Sequence, residues 1–121
     1  MVKGSFSSSH PPLPPISEED RLSWLRLLRS RRVGIATFYR LLQEYGTAAD
    51  ALRALPEIAR EAGEKNYEVT SRGAAEAEIA RGHRAQATLI ALGEESYPGR
   101  LAAIADPPPL LWSVGPLTQT S

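Results

Sequence analysis

The chain has 121 residues, 14 lysines and arginines against 14 acids, 42% hydrophobic residues and no cysteine. With no formal net charge it is not held to nucleic acid by bulk attraction, and without cysteine it has no disulfide framework, thiolate nucleophile or thiolate metal site. No apolar run approaches the ~18 residues of a membrane span and no secretory h-region opens the sequence, so a cytoplasmic globular protein is expected.

Residues 1–16, MVKGSFSSSHPPLPPI, are rich in serine and proline and too poor in apolar groups to offset the entropy lost on ordering. They read as a tail, with the PPLPP run a solvated linker rather than a polyproline II ligand and His10 a solvated side chain. Ser17-Glu18-Glu19-Asp20 opens the folded part, with a hydroxyl at the N-cap, acids in the first turn and Asp20 at the capping-box position. Leu22, Trp24, Leu25, Leu27 and Leu28 then give the helix a broad apolar face.

After Val33-Gly34, a second helix carries Ile35, Phe38, Tyr39, Leu41, Leu42 and Tyr45 at three-and-four spacing and stops at Gly46. Thr47 caps a third, short helix through Ala48, Ala51 and Leu52, and Pro56 starts a fourth with Ile58 and Ala59 facing inward. Glu64 to Val69 reads as a loop, and Ser71 caps an alanine-rich helix reaching Arg84, its contact side formed by Ala75, Ile79 and Ala80. Residues 17–86 therefore form a compact bundle of four or five helices.

From Ala87 the pattern changes. Thr88 to Leu92 reads as a buried strand, Pro98 opens a helical turn with Leu101 and Ile104, Asp106-Pro107-Pro108-Pro109 makes a rigid elbow, and Leu110 to Val114 is a second strand ending at Gly115. Residues 87–121 read as the opening of an α/β domain whose sheet is parallel and whose remaining strands lie beyond the sequence. Its end at Ser121 reads as engineered. Two short strands are marginal alone and need the helices, further strands or another subunit to cover them, so this half is expected to be the less ordered, with Trp112 more exposed than in a complete chain.

Charge is uneven along the chain: residues 21–40 hold six arginines and no acid, whereas residues 57–78 hold six acids against three bases. The basic end surrounds the turn Arg31-Arg32-Val33-Gly34-Ile35, which sets a glycine and free backbone N–H groups at a helix N-terminus, a geometry that receives phosphate. One reading is a nucleic-acid backbone contact without base readout, made by the Gly34 and Ile35 amides with Arg31, Arg32 and Arg40 as point charges. The other is an ordinary glycine turn flanked by solvated arginines. Trp24, Phe38, Tyr39 and Tyr45 recur with leucines at helical spacing and read as core rather than as a base-stacking platform.

Enzymatic readings find little support. Glu94 and Glu95 are adjacent and read as a solvated turn, and no nucleophile–histidine–carboxylate set is present. His83 has no partner at metal-ligand spacing, and Gly93, Gly99 and Gly115 form no nucleotide loop. No catalytic residue, cofactor or metal is expected.

Val33-Gly34-Ile35-Ala36, followed by Leu41-Leu42 and Tyr45-Gly46, resembles a helix-hairpin-helix element, with Ala36 where the second hairpin glycine would stand. Joined to Tyr97-Pro98, Leu101, Ile104, Asp106-Pro107-Pro108, Leu110-Leu111 and Gly115, it resembles the N-terminal part of DNA-processing protein A, the DprA/Smf family, over about residues 20–117. The resemblance implies a mainly α fold: a SAM-like/helix-hairpin-helix bundle followed by an incomplete Rossmann-like segment. It also implies an accessory domain of a protein that protects incoming single-stranded DNA in natural transformation, helps load the RecA recombinase and self-associates, mostly through the Rossmann-like domain beyond Gly115. Two functions follow for the chain itself: weak contact with DNA backbone through the basic turn, or a docking surface for recombinase or a competence regulator, its arginines meeting acids there.

Overall fold

The computed structural model describes residues 14, 15 and 17–114. The tail through residue 13, with His10, and the segment from Gly115 onward lie outside the described residues. In chain order the elements are α1 (Glu18–Arg29), α2 (Ile35–Tyr45), α3 (Ala48–Glu61), α4 (Arg72–Arg84), β1 (Ala87–Ala91), α5 (Gly99–Ala102) and β2 (Leu110–Val114). The architecture is mainly helical with one two-stranded sheet.

The helix starts follow from hydroxyl caps. Ser17, Thr47 and Ser71 each accept a backbone N–H three residues on, from Asp20, Asp50 and Ala74 at 3.0, 3.1 and 3.0 Å. α2 ends at Gly46, whose φ of +86° suits glycine and whose N–H donates to the Leu42 carbonyl at 2.8 Å. Leu22, Trp24, Leu25 and Leu27 of α1 are buried and meet Phe38, Leu41 and Leu42 of α2 and Ala48, Ala51, Leu52 and Leu55 of α3. Trp24 and Phe38 pack edge to face with centroids 5.2 Å apart, so the two rings are core and offer no stacking platform.

Residues 48–61 form one helix, where a short third and a Pro56-led fourth were expected. An interior proline costs ~3 kcal/mol in helical stability, but Ala51, Leu52, Leu55, Ile58 and Ala59 continue one apolar stripe across Pro56, and packing that stripe on α1 and α2 outweighs the penalty. On α4, Ala75 is buried and Ile79 packs on the core, whereas Ala80, expected beside them, is exposed.

The strands pair antiparallel, in the register Ala87 with Val114 through Ala91 with Leu110, and not parallel as expected. The connection, residues 92–109, is long enough for a parallel crossover, but such a crossover usually lays a helix over the sheet, whereas α5 is a single turn and the chain doubles back at the proline elbow. Tyr39 and Tyr97 hold that elbow by donating their hydroxyls to the carbonyls of Pro107 and Pro108 at 2.6 and 2.7 Å.

The helices cover the strand pair. Leu89, Ala91 and Leu110 belong to the same apolar interior as α1, α2 and α3, while Ile90, Leu92 and Tyr97 fill a second cluster closed by Tyr39, Leu101 and Leu111. Alternate residues of β1 thus bury opposite faces, which explains its near-continuous apolar run. The interior runs without a break across residues 86–87, where the sequence pattern changes. Pro14 lies against Gly93 and Pro15 is buried, so the last prolines of the N-terminal segment also pack on this half.

Further contacts fasten this half to the bundle. Arg21 donates to both Glu94 carboxylate oxygens at 2.8 and 2.6 Å, and Glu94 also accepts the Ala91 N–H at 2.9 Å, so it is a structural anchor rather than part of a solvated turn. Trp112, half-buried, donates its indole N–H to Glu78 at 2.9 Å, and Glu78 also takes Arg29 at 3.0 and 2.8 Å. The Trp112 ring lies over Gly82, where an added Cβ would come within 2.3 Å of it.

These carboxyls link folding to pH. Burial alone would raise the Glu94 carboxyl, but the Arg21 guanidinium and the Ala91 amide together hold it below its ordinary value; Arg29 foremost lowers Glu78, against burial, with help from Trp112. Each therefore stabilises the fold fully above the unfolded carboxylate pKa of ~4.3 and loses that contribution as pH falls through the lower folded value. Glu94→Gln is expected to reduce the unfolding free energy at neutral pH by about 1–2 kcal/mol, by leaving Arg21 poorly paired, and denaturant titrations should show the difference from wild type shrinking in acid. Gly82→Ala should displace Trp112, shifting its fluorescence to the red and costing about 1–3 kcal/mol; an unmoved spectrum would contradict the contact.

Candidate nucleic-acid interface

The hairpin between α1 and α2 is built from its first residue. Ser30, buried, ends α1: its hydroxyl donates to the Arg26 carbonyl at 2.7 Å and accepts the Thr70 N–H at 3.0 Å, tying the hairpin to the segment before α4. The Val33 N–H then donates to the Ser30 carbonyl at 3.1 Å, closing a turn whose third residue, Arg32, has a φ of +69°. Glycine and asparagine take this left-handed region readily, whereas a long side chain there is strained. An arginine is thus held where the backbone prefers glycine.

Val33 packs on the core and Gly34 is the N-cap of α2, with no side-chain cap hydrogen bond. The first N–H groups of a helix have no intrahelical partner, so the α2 N-terminus presents uncapped donors. Gly34 has a φ of −90°, which any residue adopts, and a Cβ on it would meet no atom within 4 Å. Neither backbone nor packing in this chain requires a glycine there. Gly34 is exposed and Ile35 half-buried.

The six arginines of residues 21–40 divide into two groups. Arg21 is spent on Glu94, Arg29 on Glu78, and the Arg26 Nε–H donates to the Thr70 carbonyl at 2.9 Å. These three are fasteners. Arg31 and Arg32 share one carboxylate, Glu64, at 3.2 and 3.4 Å, with Arg31 55% and Arg32 72% exposed. Arg40 is exposed on α2, one and a half turns past Ile35, with no ion-pair partner among the described residues. The hairpin therefore brings together Arg31, Arg32, Gly34 and Ile35, with Arg40 further along the same helix.

Two participants fall in the segment read from sequence only as a loop. Tyr67 donates its hydroxyl to the Arg31 carbonyl at 2.5 Å and sets its ring 5.2 Å beneath the Arg31 guanidinium, orienting that side chain by a cation–π contact. Glu64 is placed by the end of α3: the Gly63 N–H donates to the Arg60 carbonyl at 3.0 Å and the Glu64 N–H to the Ala59 carbonyl at 2.8 Å, with Gly63 at φ +93°. This is a Schellman cap, and it aims the next side chain at the hairpin. A lone tyrosine in a polar loop and the acid excess after residue 57 were the signals in the sequence.

The family model for the DprA-like N-terminal HHH domain matches residues 18–81, more than half of the chain, from the first residue of α1 into the last turn of α4. No curated protein matches the chain. Among the described residues no group of three or more acids or histidines could hold a metal ion, and no helix is long and apolar enough to cross a membrane.

The turn geometry separates charge from stability. Arg32→Gly should raise stability by about 0.5–1 kcal/mol by relieving the left-handed conformation, while deleting one cation from the hairpin. Thermal unfolding checks this, and a loss of stability would mean that the Glu64 pair outweighs the strain.

Proposed function

Because the chain belongs to the DprA-like N-terminal HHH domain family, we propose that its α1–α2 hairpin holds the sugar-phosphate backbone of DNA, as an accessory contact of a DNA-processing protein. The observation that carries this reading is Gly34: an uncapped helix N-terminus whose glycine is required by neither φ nor packing, flanked by two exposed arginines. A phosphate oxygen accepts from the α2 amides, the helix dipole favours its charge, and Arg31 and Arg32 supply further charge-assisted donors. No base edge is read, so the contact positions DNA without choosing sequence. It binds and does not catalyse.

With Arg31, Arg32 and Arg40 offset by Glu64, about two net charges meet the backbone, so the grip is weak and salt-sensitive. In the whole protein such a grip would act on single-stranded DNA entering the cytoplasm during transformation, beside a larger DNA-binding and self-associating domain, and before transfer to a RecA-type recombinase. For two neutralised phosphates, single-strand affinity is expected to fall ~sevenfold between 50 and 200 mM salt, following a slope of ~0.7 per phosphate. Gly34→Asp is the sharpest variant. Aspartate caps a helix at least as well as glycine, so the melting temperature should hold or rise, while a carboxylate at the phosphate position should weaken binding at least ~tenfold by fluorescence anisotropy. Unchanged affinity in a folded Gly34→Asp protein would refute the proposal.

A further inference from the structure

Resting on the reading of the hairpin as a phosphate site, we infer that Glu64 is a built-in competitor for that site: an internal carboxylate that DNA must displace from Arg31 and Arg32. One carboxylate bridges both guanidiniums, at 3.2 and 3.4 Å, using its two oxygens separately, Oε2 on Arg31 and Oε1 on Arg32. A phosphodiester offers the same arrangement of two anionic oxygens and would engage the same pair of forks. The carboxylate and the phosphate therefore exclude one another.

Glu64 is placed for this by construction. Its backbone is fixed by the Schellman cap of α3, so the side chain is delivered to the hairpin from a separate element and can leave it without disturbing α1 or α2. The arginines are mostly exposed and the glutamate is 26% exposed, so the pairs are of the surface kind that contributes little and exchanges readily with solvent ions. Arg31 keeps its seat over Tyr67 and Arg32 its turn when Glu64 leaves, so the donors stay oriented for an incoming phosphate. The other carboxylates facing the basic segment behave differently. Glu94 and Glu78 each carry a second donor, the Ala91 amide or the Trp112 indole, and are locked in place. Glu64 is set apart by having two exposed arginines as its side-chain partners. Its effect is to keep the unliganded hairpin near neutrality, to make the grip on DNA brief, and to leave the affinity adjustable at a single position.

The test compares wild type, Glu64→Gln and Glu64→Asp for binding to a fluorescein-labelled twenty-nucleotide oligothymidylate, with Glu95→Gln, beside the anchor Glu94, as a control for net charge alone. Freeing the hairpin of its competitor adds about one released counterion, so Glu64→Gln should bind ~eightfold tighter than wild type at 50 mM salt, ~threefold tighter at 200 mM, and steepen the salt slope by ~0.7. Glu64→Asp retains the charge and should follow wild type, and Glu95→Gln should leave the slope unmoved. Equal or weaker binding by a folded Glu64→Gln protein, with wild type still binding, overturns the competitor role while leaving the hairpin reading intact. If neither wild type nor Glu64→Gln binds at 50 mM salt, the hairpin reading itself fails and the competitor role with it.

Discussion

Helix α1 lies inside the molecule, and a helix packed on so many sides must find acceptors for its arginines. Its apolar residues meet α2 and α3, Ala75 of α4 joins the same interior, and Leu89, Ala91 and Leu110 bring the strand pair into it. The charged residues on the remaining surface then sit at seams between elements, where an unpaired guanidinium would be costly. Arg21 closes the seam to the turn after β1, Arg26 the seam to the segment before α4, and Arg29 the seam to α4 and β2 through Glu78. At the far end, Arg72 at the start of α4 reaches back to Glu19 at 2.9 Å. The burial is the main stabilising term; the ion pairs join the elements at the seams around α1.

The same constraint decides which arginines lie outside the seams. A chain of zero net charge whose residues 21–40 hold six arginines and no acid looks, as a linear sequence, like a protein with a large basic face. Folding brings acids of the second half onto that face, and three of the six arginines are engaged at seams, Arg29 while still exposed. What remains is the hairpin, where two arginines share one glutamate and an uncapped helix N-terminus stands open beside them. The strained Arg32 and a Gly34 that neither backbone nor packing requires lie on that same stretch of backbone. Strain and an open glycine at the same turn are features that stability alone would remove.

Much of this was legible in the sequence where a single residue type decides a local outcome. Ser17, Thr47 and Ser71 announced helix starts because a short side-chain oxygen accepts the amide three residues on, Gly46 announced a stop, and Leu110 to Val114 announced a strand between an elbow and a glycine. Pro56 misled because local propensity was outweighed by an apolar stripe that continues past it. Strand direction was illegible because it depends on how the connection folds back, which two tyrosines decide from a distance. The hairpin was found from its own residues, whereas its partners were not: Glu64 and Tyr67 reach it from more than thirty residues away, and no periodicity encodes that meeting. Glu94 looked like a solvated acid for the same reason, its arginine lying on another element.

Folding divides the basic segment into arginines that fasten elements together and a hairpin proposed to hold DNA. Arginine side-chain Nε–H resonances, followed by NMR during titration with single-stranded DNA at low salt, test that division directly. Shifts are expected at Arg31 and Arg32 and at the Gly34 and Ile35 amides, with the Arg21, Arg26 and Arg29 signals unmoved. Shifts spread evenly over all of these arginines, or confined to those of α1, would contradict it.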